Sequence, residues 1–325
     1  MTPIFLRPTV RPFLILVGVV LLLAAIDAGN GRILTVATAY SALQSFSTFA
    51  LVALGLGLTM LIGEFDLSIA GVFGLAGCVA LTTGAENADI GLLCAVGVGV
   101  AFGLPQGLVI TSLDLGSVPV TLGGLLTASG LSYVITHNQA ISSDNLDLAT
   151  TINDQIAGVF SIRSLVVLAI FAACAIVFAA TRLGRDLVAV GSDRKAAIIA
   201  GVEVKKLVLG AFTFSGVMAA LSGSMLSYGL ASASPSGLSD VLVPSAAAAI
   251  LGGVSLSGGT GTPFGVAAGA LTLTTLRSGL NAVAAPPFAH DLATGLILLA
   301  VAVSDAPYLM RRMTLLGSRL RRTLE

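Results

Sequence analysis

Tryptophan is absent from the chain, and histidine, cysteine and charge are scarce: two His, three Cys and 10% Asp, Glu, Lys and Arg. Each scarcity removes a class of function. Cys78, Cys94 and Cys174 lie inside apolar runs without C-x-x-C spacing, so the sequence offers neither a zinc set nor a disulfide framework. They read as small packing residues. His137 and His290 sit beside apolar runs and lack the spacing of a metal pair. With no G-x-S-x-G elbow and no H-E-x-x-H helix, a hydrolase has no nucleophile or zinc site to use. Basic and acidic residues balance at 16 each, so no chain-wide positive field argues for nucleic acid.

What the chain has is apolar length. It is 56% hydrophobic with a mean hydropathy of +1.01, far outside the composition of soluble domains. Runs such as "FLILVGVVLLLAA" do not alternate, which excludes a membrane β-barrel. The sequence therefore predicts an all-α integral membrane protein with no soluble domain, with room for roughly ten spans of about 20 residues each. Polar breaks place them near 12–29, 43–63, 67–84, 90–111, 117–136, 161–181, 207–229, 240–253, 264–283 and 289–306. The first run lacks a small-residue cleavage site and reads as a retained helix, not a signal peptide. The eighth segment is short, the kind of interruption that lines cavities in transporters.

Charge placement supplies orientation. Thirteen of the 16 Lys and Arg fall in three groups, at Arg7 and Arg11, in the 182–206 loop, and in the 307–325 tail. The positive-inside rule puts all three in the cytoplasm, so both termini are inside and the number of spans is even. The Asp-bearing 137–160 loop then falls outside, with Arg32 a mild exception. Arg277 lies within a span and needs polar or interfacial surroundings.

Several stretches carry finer information. In "TRLGRDLVAVGSDRKAAIIAGVEVKK", 181–206, Ser192 or Asp193 can cap a short cytoplasmic helix that Gly201 stops. Gly99, Gly103 and Gly107 recur every four residues and give one helix a small face for close packing. "GGVSLSGGTGTPFG", 252–265, has neither a preceding strand nor a Gly-Lys-Ser/Thr, so it is a Gly-rich break and not a phosphate cradle. In it, Ser255, Ser257 and Thr260 can satisfy freed backbone groups. In "LIGEFDLSIAG", 61–71, Glu64 and Asp66 stand at the turn between the second and third spans. Asp66 is placed to cap the following helix. A competing reading makes the two carboxylates the proton or cation sites of an ion-coupled secondary transporter or channel.

The 182–206 loop resembles that of the inner-membrane permeases of ribose-type monosaccharide ATP-binding cassette importers. The matching residues are Gly184-Arg185, Val190-Gly191, Ala196-Ala197 and Gly201. "LQSFSTFALVALGLGLTMLIGEFDLSIAG", "VPVTLGGLLTASGL", "ILGGVSLSGGTGTPFGVAAGAL" and "RSGLNAV" resemble further blocks of that family, in family order. The resemblance implies a single transmembrane permease domain over 1–325, a non-enzymatic transport subunit in a bacterial cytoplasmic (inner) membrane. It implies a cytoplasmic ATPase carrying ATP and magnesium, with no cofactor in this chain. It also implies an extracytoplasmic sugar-binding protein and a second permease copy or paralogue. Asp193, Arg194, Lys195, Ala196, Ala197 and Gly201 would then be the ATPase-coupling residues, and Gln44, Asp66, Thr121 and Asn281 would belong to the translocation path or its packing. The family often has an acid where this chain has Lys195, and usually glycine where it has Glu64. The missing Trp fits a permease that leaves tight sugar binding to a partner.

Overall fold

The computed structural model describes residues 10–27, 31–143, 146–236, 241–301 and 303. The basic 307–325 tail and Arg7 lie outside the described residues. The chain divides into two units, 1–283 and 284–325. The first holds α1 (Arg11–Asp27), α2 (Val36–Leu61), α3 (Ile69–Thr83), α4 (Ala88–Leu113), α5 (Ser117–Ile135), α6 (Leu146–Asn153) and α7 (Ile162–Ala180). It continues with α8 (Arg182–Ser192), α9 (Arg194–Ile199), α10 (Val204–Leu230), α11 (Leu242–Leu251) and α12 (Pro263–Ala282). The second unit holds α13 (Pro287–Val301).

A helix occupies each of the ten predicted apolar segments. Five of them, α2, α4, α5, α7 and α10, are long and apolar enough to cross a bilayer by length and composition. The finer differences lie in the polar breaks. The 136–155 break contains α6, and β1 (Ile141–Ser142), which pairs antiparallel with β2 (Ser232–Ala233) from the 230–240 break. The basic loop contains α8 as well as the anticipated α9. Val190 and Gly191 lie within the last turns of α8.

Helices α2 and α10 form the centre. The second half of α2 is almost wholly buried, from Phe46 to Leu61, and α10 packs against α2, α3 and α4. Outer helices α4, α5 and α7 turn Leu93, Leu126, Val134 and Ile176 outward, as lipid-facing helices do when the bilayer is as apolar as the side chains.

Close approach depends on glycine. A Cβ at Gly99 would come within 2.5 Å of the Gly216 carbonyl oxygen, one at Gly103 would strike the Phe212 carbonyl, and one at Gly107 would lie 2.9 Å from Leu209 Cα. The stripe read from the sequence is therefore the α4 face that meets the α10 backbone. Gly103→Ala should destabilise the detergent-purified protein by about 1–3 kcal/mol, the usual cost of overpacking. Gly97→Ala, on the open side of the same helix with no atom within 4 Å, should be neutral or stabilising by up to about 1 kcal/mol. Thermal unfolding of both variants measures the contrast.

Candidate functional site

The junction at the basic loop is built from three chain segments that meet backbone to backbone. The first is the end of α2. Gly63 N–H bonds the Met60 carbonyl at 2.9 Å and Glu64 N–H bonds the Thr59 carbonyl at 3.0 Å, the paired bonds of a Schellman stop. Gly63 adopts φ +79°, which an L side chain resists. The second is the end of α8, where a Cβ on Gly191 would collide with the Leu61 carbonyl oxygen and with Gly259 N. The third is the Gly-rich loop, whose Gly259 N–H donates to the Leu61 carbonyl at 2.8 Å. Gly258 and Gly259 take φ +82° and +77° and lie against Gly63 and Ser192 respectively.

That loop satisfies itself as well. Ser255 N–H donates to the Thr260 carbonyl at 3.2 Å, and Ser257 N–H donates to Ser255 Oγ at 3.2 Å. The glycines thus bring the α8 end against α2, and the serines close the loop on itself. No phosphate-binding geometry is required to explain them.

Helix α9 hangs from this junction. Asp193 accepts from Lys195 N–H and Ala196 N–H, both at 3.0 Å, and caps its first turn. At the other end Gly201 has φ +83°. Its N–H bonds the Ile198 carbonyl, and Val202 N–H bonds the Ala197 carbonyl, each at 3.0 Å, a second Schellman stop. Ala197 is buried with Leu61 and Ile62 of α2, Leu187 and Val190 of α8, and Val204 and Val208 of α10.

The six sequence-predicted coupling residues therefore divide. Asp193 and Gly201 begin and end the helix, and Ala197 is an anchor into the chain's own core with no surface to offer a partner. Arg194 is half-engaged, its Nη1 lying 2.7 Å from Glu64 Oε1. Lys195 and Ala196 are exposed. Ile198 and Ile199, absent from the six coupling residues, are 58% and 87% exposed on a helix bordered by charge; of the two, sequence reasoning had counted only Ile199 among the helix's apolar residues. Two consecutive large apolar residues in a cationic loop were the available signal.

The turn below is pinned on two sides. Phe65 N–H donates to Ser117 Oγ at 3.1 Å, and Thr121 Oγ1 donates to the carbonyls of Phe65 at 3.3 Å and Ser117 at 2.9 Å. Asp66 Oδ1 accepts from Ser68 N–H at 3.0 Å and from Ser68 Oγ at 2.6 Å, so the carboxylate closes a turn just ahead of α3; the N-cap of that helix is Ser68, whose side chain makes no capping bond. Asp66 and Thr121 are fully buried. Burial pushes the Asp66 carboxyl up, while the Ser68 hydroxyl pulls it back.

The Gln106 amide and Ser68 both lie against Gly124. Both Gln106 amide atoms are buried without hydrogen-bond partners among the described residues, and the Ser215 hydroxyl joins Ser68 in holding the Asp66 carboxyl down. Sequence reasoning passed over Gln106 and Ser215, although a polar residue within an apolar span is itself a signal. Gln44, on α2, also has a buried amide without a partner. Asn281 is exposed at the end of α12. Of the four predicted path residues, Asp66 and Thr121 are brought together: Thr121 of α5 bonds the carbonyl of Phe65, next to Asp66 in the α2–α3 turn.

Glu64 and Asp66 serve different neighbours, Arg194 and Ser68. Among the described residues, no group of three His, Cys, Asp or Glu could hold a metal. Asp66→Ala should lose the turn's hydrogen bonds to Ser68, at about 1 kcal/mol. Asp66→Asn should keep most of the stability, because its carbonyl can accept the Ser68 N–H bond without a buried charge. Thermal unfolding of the two variants at neutral pH checks the order.

Comparison with known proteins agrees with this architecture. Residues 38–302 match the family described as branched-chain amino acid transport system / permease component. The probable ABC transporter permease protein y4mJ of Sinorhizobium fredii is 32% identical over 270 residues, covering 81% of this chain and 79% of that protein. The autoinducer 2 import system permease protein LsrC of Yersinia enterocolitica is 32% identical over 289 residues, 87% of this chain and 78% of the relative. The ribose import permease protein RbsC of Escherichia coli K12 is 29% identical over 300 residues, 89% of this chain and 92% of the relative. No solved structure matches the chain. With its helical architecture and a match across residues 38–302, the chain belongs to the permease-component family of ATP-binding cassette importers.

Proposed function

We propose that this permease subunit carries a monosaccharide or similar small polyol inward across a bacterial cytoplasmic membrane, powered by a separate ATPase. The names of the ribose and autoinducer 2 import relatives support the solute class. The absence of tryptophan supports delivery by an extracytoplasmic binding protein that holds the solute. In this reading the chain crosses the membrane about ten times, keeps both termini inside, and pairs with itself or a paralogue around a central path.

The observation that carries the coupling is helix α9. It is fixed to the core by Ala197 and by the glycine junction, and it turns Lys195, Ala196, Ile198 and Ile199 outward. A rigid cytoplasmic helix with two exposed isoleucines needs an apolar cleft, and the ATPase supplies one. Nucleotide state can move the permease only if the docked helix binds differently in the two ATPase states. An ion-coupled reading finds less support, because the Glu64 carboxylate is held by Arg194 and the Asp66 carboxylate by Ser68.

Ile199→Arg should leave the thermal unfolding of the permease unchanged. It should weaken co-purification with the cognate ATPase by about tenfold or more, the scale of a lost apolar anchor. Unimpaired co-purification and uptake in that variant would overturn the docking assignment. Ala197→Arg should instead lower the unfolding temperature, because the new charge has no room in the core. Unfolding and pull-down measurements on the two variants separate docking from packing.

A further inference from the structure

Glu64 belongs to the α2–α3 turn, and Arg194 opens helix α9, 130 residues later. Their ion pair at 2.7 Å crosses the junction, with the Glu64 side chain only 12% exposed and that of Arg194 42% exposed. A second ion pair, Lys206 with Glu203, is largely exposed and lies within the first turn of α10. The Glu64–Arg194 pair, by contrast, joins separate elements.

Its position gives it leverage. Residue 64 is followed by Phe65, whose backbone is bonded to Ser117 and Thr121 of α5. Asp66 comes next and holds the start of α3 through Ser68. A pull on Arg194 thus reaches three consecutive residues that fix two membrane helices. The contacts of Ala197 and Gly191 hold α9 by shape; the ion pair holds it by direction, because a guanidinium–carboxylate contact has a defined geometry. The pairing was invisible in sequence, where Glu64 stood out as a departure from the family's glycine and as a candidate ion site.

We propose that Glu64 is a positioning residue: with Arg194 it forms a latch that sets the position of helix α9 against the α2–α3 turn, so that movement of the docked helix is passed to α3 and α5. The role in coupling rests on the permease reading above, whereas the latch is a property of this chain alone. It follows that the latch can bias transport only if it is intact in one conformation and broken or strained in another. A partly exposed pair of this kind shifts such an equilibrium by about two- to fivefold.

The test is amide hydrogen exchange on the purified full chain in lipid nanodiscs, read at Ala197, Ala200, Gly201 and Val202, whose N–H groups close α9. Glu64→Ala and Arg194→Ala should each speed exchange there by about two- to fivefold while the thermal unfolding temperature stays unchanged. The double variant Glu64→Ala/Arg194→Ala should exchange no faster than either single one, because the cycle isolates a pairwise term. Unaltered exchange in both single variants, or accelerations that multiply in the double variant, would overturn the latch. No ATPase takes part in this measurement, so failure of the permease reading would appear separately, in the Ile199→Arg experiment.

Discussion

The hydrogen bond from Gly259 N–H to the Leu61 carbonyl, 2.8 Å long, is the contact on which the junction of α2, α8 and the Gly-rich loop depends. The last carbonyls of a helix have no partner within it, and leaving one unpaired near hydrocarbon costs several kcal/mol. Here a loop almost 200 residues away in the chain supplies the missing donor. The bond can form only because Gly191 lacks a side chain where a Cβ would strike Leu61, and because Gly259 adopts φ +77°. One backbone bond thereby requires glycine in two other segments, and it draws the end of α8 onto the central helix. Everything attached to α8, including the exposed isoleucines of α9, inherits its position from that bond.

A second constraint follows from the first. A helix used to receive force must be stiff in itself, or the force is spent in bending it. Helix α9 has only six residues, too few to be stable by propensity alone. Its stability comes from its ends and from its one buried side chain: Asp193 satisfies early N–H groups, Gly201 permits the terminal bonds, and Ala197 enters the core. Alanine is the right size there, since the surrounding Leu61, Val190 and Val208 already fill the site. The residues that hold α9 in place, Asp193, Ala197 and Gly201, are thus different from Lys195, Ala196, Ile198 and Ile199, which face outward.

The sequence revealed the parts of this arrangement that repeat or punctuate. Apolar segments were readable because lipid demands them, and the stripe of Gly99, Gly103 and Gly107 because a period of four marks one helix face. Asp193 and Gly201 were readable because cap chemistry is local. Glu64 and Arg194 were each visible as charges, but their pairing depends on how α8 folds back onto α2, which no local pattern records. Ala197 looked like part of a docking motif because the resemblance covered the whole helix, whereas its orientation is decided by which side of α9 meets the core. The short helix α6 and the β1–β2 pair were hidden in stretches whose polar composition suits loops equally well.

The two ends of the bundle are held by different chemistry. At the junction of α2, α8 and α9 a charge meets a charge across a partly hydrated contact. Near the other end, Arg163 at the start of α7 is buried and held by neutral groups: Nη1 donates to Asn153 Oδ1 and Nη2 to Thr48 Oγ1, both at 3.2 Å. Asn153 in turn donates to the Gly229 carbonyl at 2.8 Å, close to the end of α10, where the carbonyl dipoles favour a cation. A buried guanidinium with neutral partners joins α2, α6, α7 and α10 without requiring a carboxylate to be desolvated beside it. Separating those helices would break three hydrogen bonds around a buried cation, whereas the Glu64–Arg194 pair can break and be rehydrated at small cost.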